Sequence, residues 1–248
     1  MRQLHAEWTK LRTSPGTKWL LAGIIAATVA LSALACAAIV CRASDCGQDP
    51  VKLSLTGTLL GQAVVAILAV LAVGGEYSTG LARVTYTAMP RRLGVLAAKA
   101  AVVTAAVVAA AAVAVPISML AGHALLPAQS FTPPASAVLR AGAGTVLYLG
   151  LIALLSLGLA TAMRSSAAAI GTVLGLLFVI PILTQAVSDP AWQRHLEQSA
   201  PMSAGLAIQA TRDLQDLPLS PWAGLGVLAL WAAGALGLGA WTLLGRDV

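Results

Sequence analysis

Residues 100–122 read AAVVTAAVVAAAAVAVPISMLAG, twenty-three positions without one charged side chain. At 1.5 Å of rise per residue such a helix is about 35 Å long, enough to cross a hydrocarbon core of about 30 Å. A helix apolar on every face belongs in lipid or in the core of a large protein. Working outward, the same pattern recurs. Uncharged runs extend from Trp19 to Cys41, Leu53 to Gly75, Ala100 to Leu139, Ala141 to Met163, Ser165 to Ser188 and Leu217 to Gly245, each of at least 23 residues. A chain of 248 residues has no core able to hide six of them.

Composition agrees with the runs. The chain is 58% hydrophobic and 10% charged, where a soluble domain carries about 25% charge. Only helices and closed barrels satisfy their backbone inside lipid. A barrel would show segments of about 10 residues with alternating polarity, and the sequence has none. The fold class predicted is an all-α integral membrane protein forming a single transmembrane domain. Its six transmembrane helices fall at about 19–41, 53–75, 100–122, 141–163, 165–187 and 222–244. Ala33-Leu34-Ala35-Cys36 faintly resembles a lipoprotein cleavage site. The first run nevertheless exceeds the roughly 7–15 apolar residues of a signal peptide and is read as a span.

Basic residues set the expected orientation. With the N-terminus inside, ten Lys and Arg residues (Arg2, Lys10, Arg12, Lys18, Arg83, Arg91, Arg92, Lys99, Arg164, Arg246) fall in cytoplasmic segments and five outside. That split follows the positive-inside rule, so both termini are expected in the cytoplasm. The net charge of +6 is then explained by topology and the anionic inner leaflet, with no nucleic acid as partner.

The polar segments carry some structure of their own. In residues 1–18, Leu4, Trp8 and Leu11 share one helical stripe, which predicts an amphipathic interfacial helix ending at Pro15-Gly16. Between spans two and three, Leu81, Val84, Ala88 and Met89 share a face, predicting a short cytoplasmic helix that stops at Pro90. Lys99, at the start of span three, is expected to snorkel to the headgroups. The external segment 189–220 opens on Asp189-Pro190, a helix start, and a second helix is expected from about Ser203 to Asp213. Pro181 is expected to kink span five.

Chemistry is scarce. The spans hold no Asp, Glu, Lys, Arg or His beyond their boundaries, which argues against proton pumping and haem ligation. No metal-ligand set, catalytic constellation or Gly-Lys phosphate loop is present. The chain is therefore expected to be no enzyme and to bind no metal or cofactor itself. Gln62, Tyr148 and Gln185 are the most polar large residues in the spans. They either line a substrate path or bond to neighbouring helices or, for Gln185, lie close to the outer surface. Gly57/Gly61 and Gly171/Gly175 have the spacing that lets helices approach closely, within the bundle or between subunits. Cys36 lies in the first span, whereas Cys41 and Cys46 bracket an external loop and either form a disulfide or remain free. A high Arg-to-Lys ratio and abundant Ala hint at a GC-rich, actinobacterial genome.

Several segments, in order, carry a likeness. Glu7-Trp8-Thr9-Lys10-Leu11-Arg12 opens the chain, and Gly75-Glu76-Tyr77-Ser78-Thr79-Gly80 follows span two, with Arg91-Arg92 after it. The Arg164-Ser165 turn, Pro201 to Gln209 before span six, and Arg246-Asp247 complete the set. Over essentially its whole length the chain resembles the permease subunits of type-2 ATP-binding cassette (ABC) exporters, particularly short actinobacterial ones. The resemblance implies a plasma-membrane permease that pairs with a second permease copy, itself or a relative. It also implies two separate ATPase subunits that bind ATP and Mg. The coupling surface it implies is the first amphipathic helix together with the helix after span two, with Glu76, Tyr77, Thr79, Leu81, Val84, Met89, Arg91 and Arg92 as the ATPase-coupling residues. The segment before span six would contribute to an outer gate. Without the resemblance, Glu76 pairs with Arg91 or Arg92 or caps the short helix. The whole chain would then read as a structural or regulatory six-span protein.

Overall fold

The computed structural model describes residues 2–38, 49–78, 92–126 and 133–245. Cys41 and Cys46, and Thr79, Leu81, Val84, Met89 and Arg91 of the expected coupling helix, lie outside the described residues. Among the described residues every regular element is a helix. Helix α1 spans Arg2–Thr13, α2 Pro15–Ala38, α3 Pro50–Ser54, α4 Thr58–Ser78, α5 Arg92–Leu125 and α6 Ala135–Met163. Span five is α7 (Ser166–Leu174), a π segment (Gly175–Val179) and α8 (Ile180–Gln185); α9 (Pro190–Ser199), α10 (Pro201–Leu206) and α11 (Pro221–Gly245) follow. Among the described residues six helices are long and apolar enough to cross a membrane, so the chain is a multi-pass membrane protein.

Element ends follow local chemistry. Ser14 alone separates α1 from α2, because Pro15 suits the first turn of a helix, where its missing N–H costs nothing. Helix α6 ends on Arg164 in the left-handed conformation (φ 55°), and Ser165 caps the next helix by accepting from Ala168 N at 3.5 Å. Asp189 caps α9 through Ala191 N at 2.8 Å. The expected kink at Pro181 takes the form of a π segment one turn earlier. Proline cannot donate to the carbonyl four residues back and crowds it, so the ladder widens there.

Three expectations need correcting. Helix α4 continues through Gly74 and Gly75 to Ser78, so Glu76 and Tyr77 are helical rather than part of a loop. Helix α5 begins at Arg92, which places Lys99 two turns inside it. The helix expected from Ser203 to Asp213 instead runs Pro201–Leu206 and tightens to a 3-10 turn over Ala207–Gln209. Ala210 is then extended and Asp213 left-handed (φ 50°).

Helix α6 is the central post, contacted by α4, α5, α7 and α11. Its buried face includes Tyr148, Leu149, Ile152, Leu155 and Leu157. Helix α2 closes one side against α4 and α5. It presents Ile24, Thr28, Ser32 and Cys36 at four-residue intervals, so Cys36 is buried as expected. The α10 segment tucks in beside α11 and α6 at the bundle end opposite α1. It fits because Gly144, Gly205 and Gly224 lie where any Cβ would collide, with Ile208, the Tyr148 ring and the Ala204 carbonyl respectively.

Candidate functional site

At the α1 end of the bundle, four charged side chains from three helices close into a ring. Lys99 Nζ of α5 lies 3.0 Å from Glu7 Oε2 of α1 and 2.8 Å from Glu76 Oε1 of α4. Lys10 Nζ of α1 lies 3.0 Å from Glu7 Oε1 and 2.9 Å from Glu76 Oε1. The ring is neutral, two lysines against two glutamates. The Lys99 side chain is 6% exposed and that of Glu7 8%, whereas that of Lys10 is 46% exposed. Lys99 gives its third donor to the Ala72 carbonyl at 3.0 Å and is saturated. It therefore does not snorkel. Helix α1 covers it, and buried carboxylates replace water around its ammonium.

The ring explains how α1 docks. Glu7 lies between Leu4 and Leu11 on the stripe expected to meet lipid, yet among the described side chains of α1 it is Glu7 that the bundle buries. Leu4 and Trp8 remain about half exposed. Burial opposes the charge on Lys10, but its bonds to Glu76 and Glu7 outweigh that and hold the ammonium above its ordinary value of 10.5. Because the folded value exceeds the unfolded one, the Lys10 contribution is complete below pH 10.5 and is lost as pH rises through the folded value.

The remaining described coupling candidates, Tyr77 and Arg92, meet Arg164 and the end of α11. The Tyr77 ring lies under the Arg164 guanidinium, 5.9 Å from centroid to carbon. Arg164 Nη2 donates to the Thr242 carbonyl at 3.2 Å, and Arg92 Nη1 to the Leu243 carbonyl at 3.0 Å. Two cations thus meet the last carbonyls of α11, the negative end of that helix. Glu76 takes two lysines from distant parts of the chain, a pairing that its neighbourhood in sequence does not suggest.

A cleft of about 390 Å³ opens beside the ring. Lys10, Glu76 and Lys99 line one part, and Leu20, Leu68, Leu71 and Val103 line another. A second cleft of about 480 Å³, between α6, span five and α11, is lined mainly by Leu155, Leu159, Leu176, Trp231 and Leu238.

Gln62 and Tyr148 line neither cleft. They come together in the core, where Tyr148 Oη donates to Gln62 Oε1 and both side chains are fully buried. Gln62 Nε2 rests 3.4 Å from Met202 Sδ. One layer away, Gln209 Nε2 donates to Thr58 Oγ1 and Thr145 Oγ1, each at 3.2 Å. These bonds pin the α10 segment to α4 and α6. Gln185, by contrast, is exposed at the end of α8.

Sequence reasoning singled out Glu76 but missed its partners. Lys10 and Glu7 had a signal in their i, i+3 spacing and in Glu7 interrupting an apolar stripe. Lys99 and Gln209 had none that spacing could reveal. Among the described residues no group of His, Cys, Asp and Glu could hold a metal ion. No protein-family model matches this chain, and no curated protein matches it either.

Proposed function

We propose that this chain is the permease subunit of an ATP-driven exporter of the type-2 ABC class, working as a pair of permeases above two separate ATPase subunits. The observation that carries this reading is the position of Glu76. It lies in the last turn of α4, ahead of residues 79–91, and its carboxylate holds both α1 and α5. Movement of the segment after span two would therefore reach three helices through one side chain. Helix α1 and that segment are the two surfaces that the family resemblance gives to the ATPase. On this reading the α1 end is cytoplasmic, in the plasma membrane of an actinobacterium. ATP and Mg are held by the partner. The substrate is a hydrophobic or amphipathic molecule (a drug, antibiotic, secondary metabolite or lipid) passing between the two permease copies by alternating access. ATP binding can drive the change only if the two states differ in their contacts, and the ring is an assembly of contacts able to differ.

The test is to tag the chain in its native host, extract it in mild detergents and identify its partners by mass spectrometry. A stoichiometric cassette ATPase is expected, and Glu76→Gln should then uncouple ATP hydrolysis from transport in the assembled complex. A folded chain that brings down no ATPase in any detergent would sink the proposal. A second reading, a structural or regulatory six-span partner that transports nothing, draws support from the sealed Gln62–Tyr148 pair, since the residues expected to line a path are closed on each other. The same purification separates the two readings.

A further inference from the structure

The cleft beside the charge ring combines two chemistries. Its rim is Lys10 with the carboxylates of Glu7 and Glu76, and its floor is Leu20, Leu68, Leu71 and Val103. On α4, Leu71 lies five residues and Leu68 eight residues before Glu76, so the floor reaches about 7 to 12 Å deeper along the helix than the rim. In a six-span bundle this depth lies within hydrocarbon, while the rim lies at headgroup level. Leu71 is 43% exposed, and at about 390 Å³ the space matches a small-ligand site.

The rim also offers an unused donor. An ammonium has three N–H groups. Lys99 gives all three to Ala72, Glu76 and Glu7. Among the described residues Lys10 uses two, on Glu7 and Glu76, and its side chain is 46% exposed. The neutral ring leaves Lys10 anchored yet able to take one more acceptor. A protein segment filling this space would have to bring its backbone into the bilayer, where unpaired polar groups are costly. A lipid brings an apolar chain and a charged oxygen already joined at the right separation.

We propose that this cleft is a phospholipid site, with one acyl chain laid along Leu20 and Leu71 and a phosphate oxygen accepting from Lys10. The proposal goes beyond the exporter reading and depends only on the chain spanning a membrane. The bound lipid fills the wedge between α1 and the spans, so the interfacial helix rests on lipid as well as on its salt bridges.

The experiment uses the full chain alone, in vesicles of phosphatidylethanolamine and phosphatidylglycerol doped with a phospholipid carrying a photoactivatable group in its acyl chain. Labelled positions are mapped by mass spectrometry, with Leu230, 75% exposed on α11, as the baseline for passing lipid. Labelling at Leu20 and Leu71, the floor residues with accessible surface, should exceed that baseline several-fold. Gly75→Leu should abolish the excess by filling the cleft. Gly75 lines it, and a Cβ there meets nothing within 4 Å among the described residues; an unchanged thermal midpoint shows that the variant is folded. Lys10→Ala should lower the excess several-fold, and Lys10→Arg should restore it. Floor labelling at the Leu230 level, or unchanged in Gly75→Leu, overturns the site. Equal labelling by a diacylglycerol probe without phosphate overturns the Lys10 contact. Because no ATPase is present, these outcomes stand apart from success or failure of the exporter reading.

Discussion

Spans two and five look alike in sequence. Over Thr58–Tyr77 and Ser166–Gln185 each is 20 residues long, with mean hydropathy 2.1 and 2.3. Each has a glycine pair four residues apart, within or beside it, and one glutamine. Yet 56% of the most apolar stretch is buried in span two and 22% in span five. The difference lies in what each meets. A Cβ on Gly57 would stand 1.8 Å from the Thr28 carbonyl oxygen, and one on Gly61 2.3 Å from Thr28 Oγ1. Gly171 and Gly175 would meet nothing within 4 Å. Likewise Gln62 is fully buried on Tyr148, while Gln185 is exposed. Glycine spacing thus records a capacity for close approach. Whether the capacity is used depends on a matching stripe opposite, and α2 supplies one to span two through Thr28 and Ser32.

Span two has a further anchor in the charge ring, and cutting it should have the largest effect. Lys99→Met leaves Glu7 and Glu76 buried with only Lys10 between them. The expected loss is about 3–5 kcal/mol, the usual cost of stranding a buried charge, read as a fall in the thermal midpoint of the purified protein. An unchanged midpoint would mean that the ring does not hold α1 to the bundle. Next comes Gly57→Ala, which forces α2 and α4 apart and should cost about 1–3 kcal/mol as overpacking. Gly57 N–H also loses the bond it donates to Ser32 Oγ at 3.0 Å once the helices separate. A midpoint equal to that of the parent would show that α2 can give way. Tyr148→Phe should cost about 1–2 kcal/mol by leaving the buried Gln62 amide oxygen without its donor. Gln62→Leu combined with Tyr148→Phe should recover part of that loss, and additive losses would deny the pairing.

How much of this was legible follows from what writes each signal. Bilayer thickness writes span length directly, so six apolar runs sufficed to count the helices. Their ends were harder to place. Helix α5 starts at Arg92 rather than near Ala100 because Lys99 is neutralised by Glu7 and Glu76, residues 92 and 23 positions away. A rule that cuts helices at charges cannot see a charge cancelled from another helix. Gln62 and Tyr148 stood out as the polar residues of the spans. Their closure on each other requires α4 and α6 to be neighbours, which periodicity does not record. Gln209, in a segment read as external, is drawn inward because Gly144, Gly205 and Gly224 let the chain approach at three points, and a lone glycine looks the same whether or not a backbone lies against it. Capping was readable at Asp189-Pro190, since the cap and its helix are adjacent in sequence.

The smallest expected effect is the most informative about span five. Gly171 lies inside α7, where alanine is favoured over glycine by about 0.5–1 kcal/mol through backbone entropy alone. With nothing near its Cβ position, Gly171→Ala removes no contact in the single chain. The substitution should therefore leave the dilute, detergent-solubilised protein unchanged or slightly more stable, the opposite sign to Gly57→Ala. A loss there would mean that a helix of the same chain packs closer to Gly171 than the fold described, and the contrast between the spans would fail. A loss confined to the native membrane has a different meaning. The face of span five is then covered only in the assembled protein, and the second glycine pair serves between molecules the purpose that Gly57 and Gly61 serve within one.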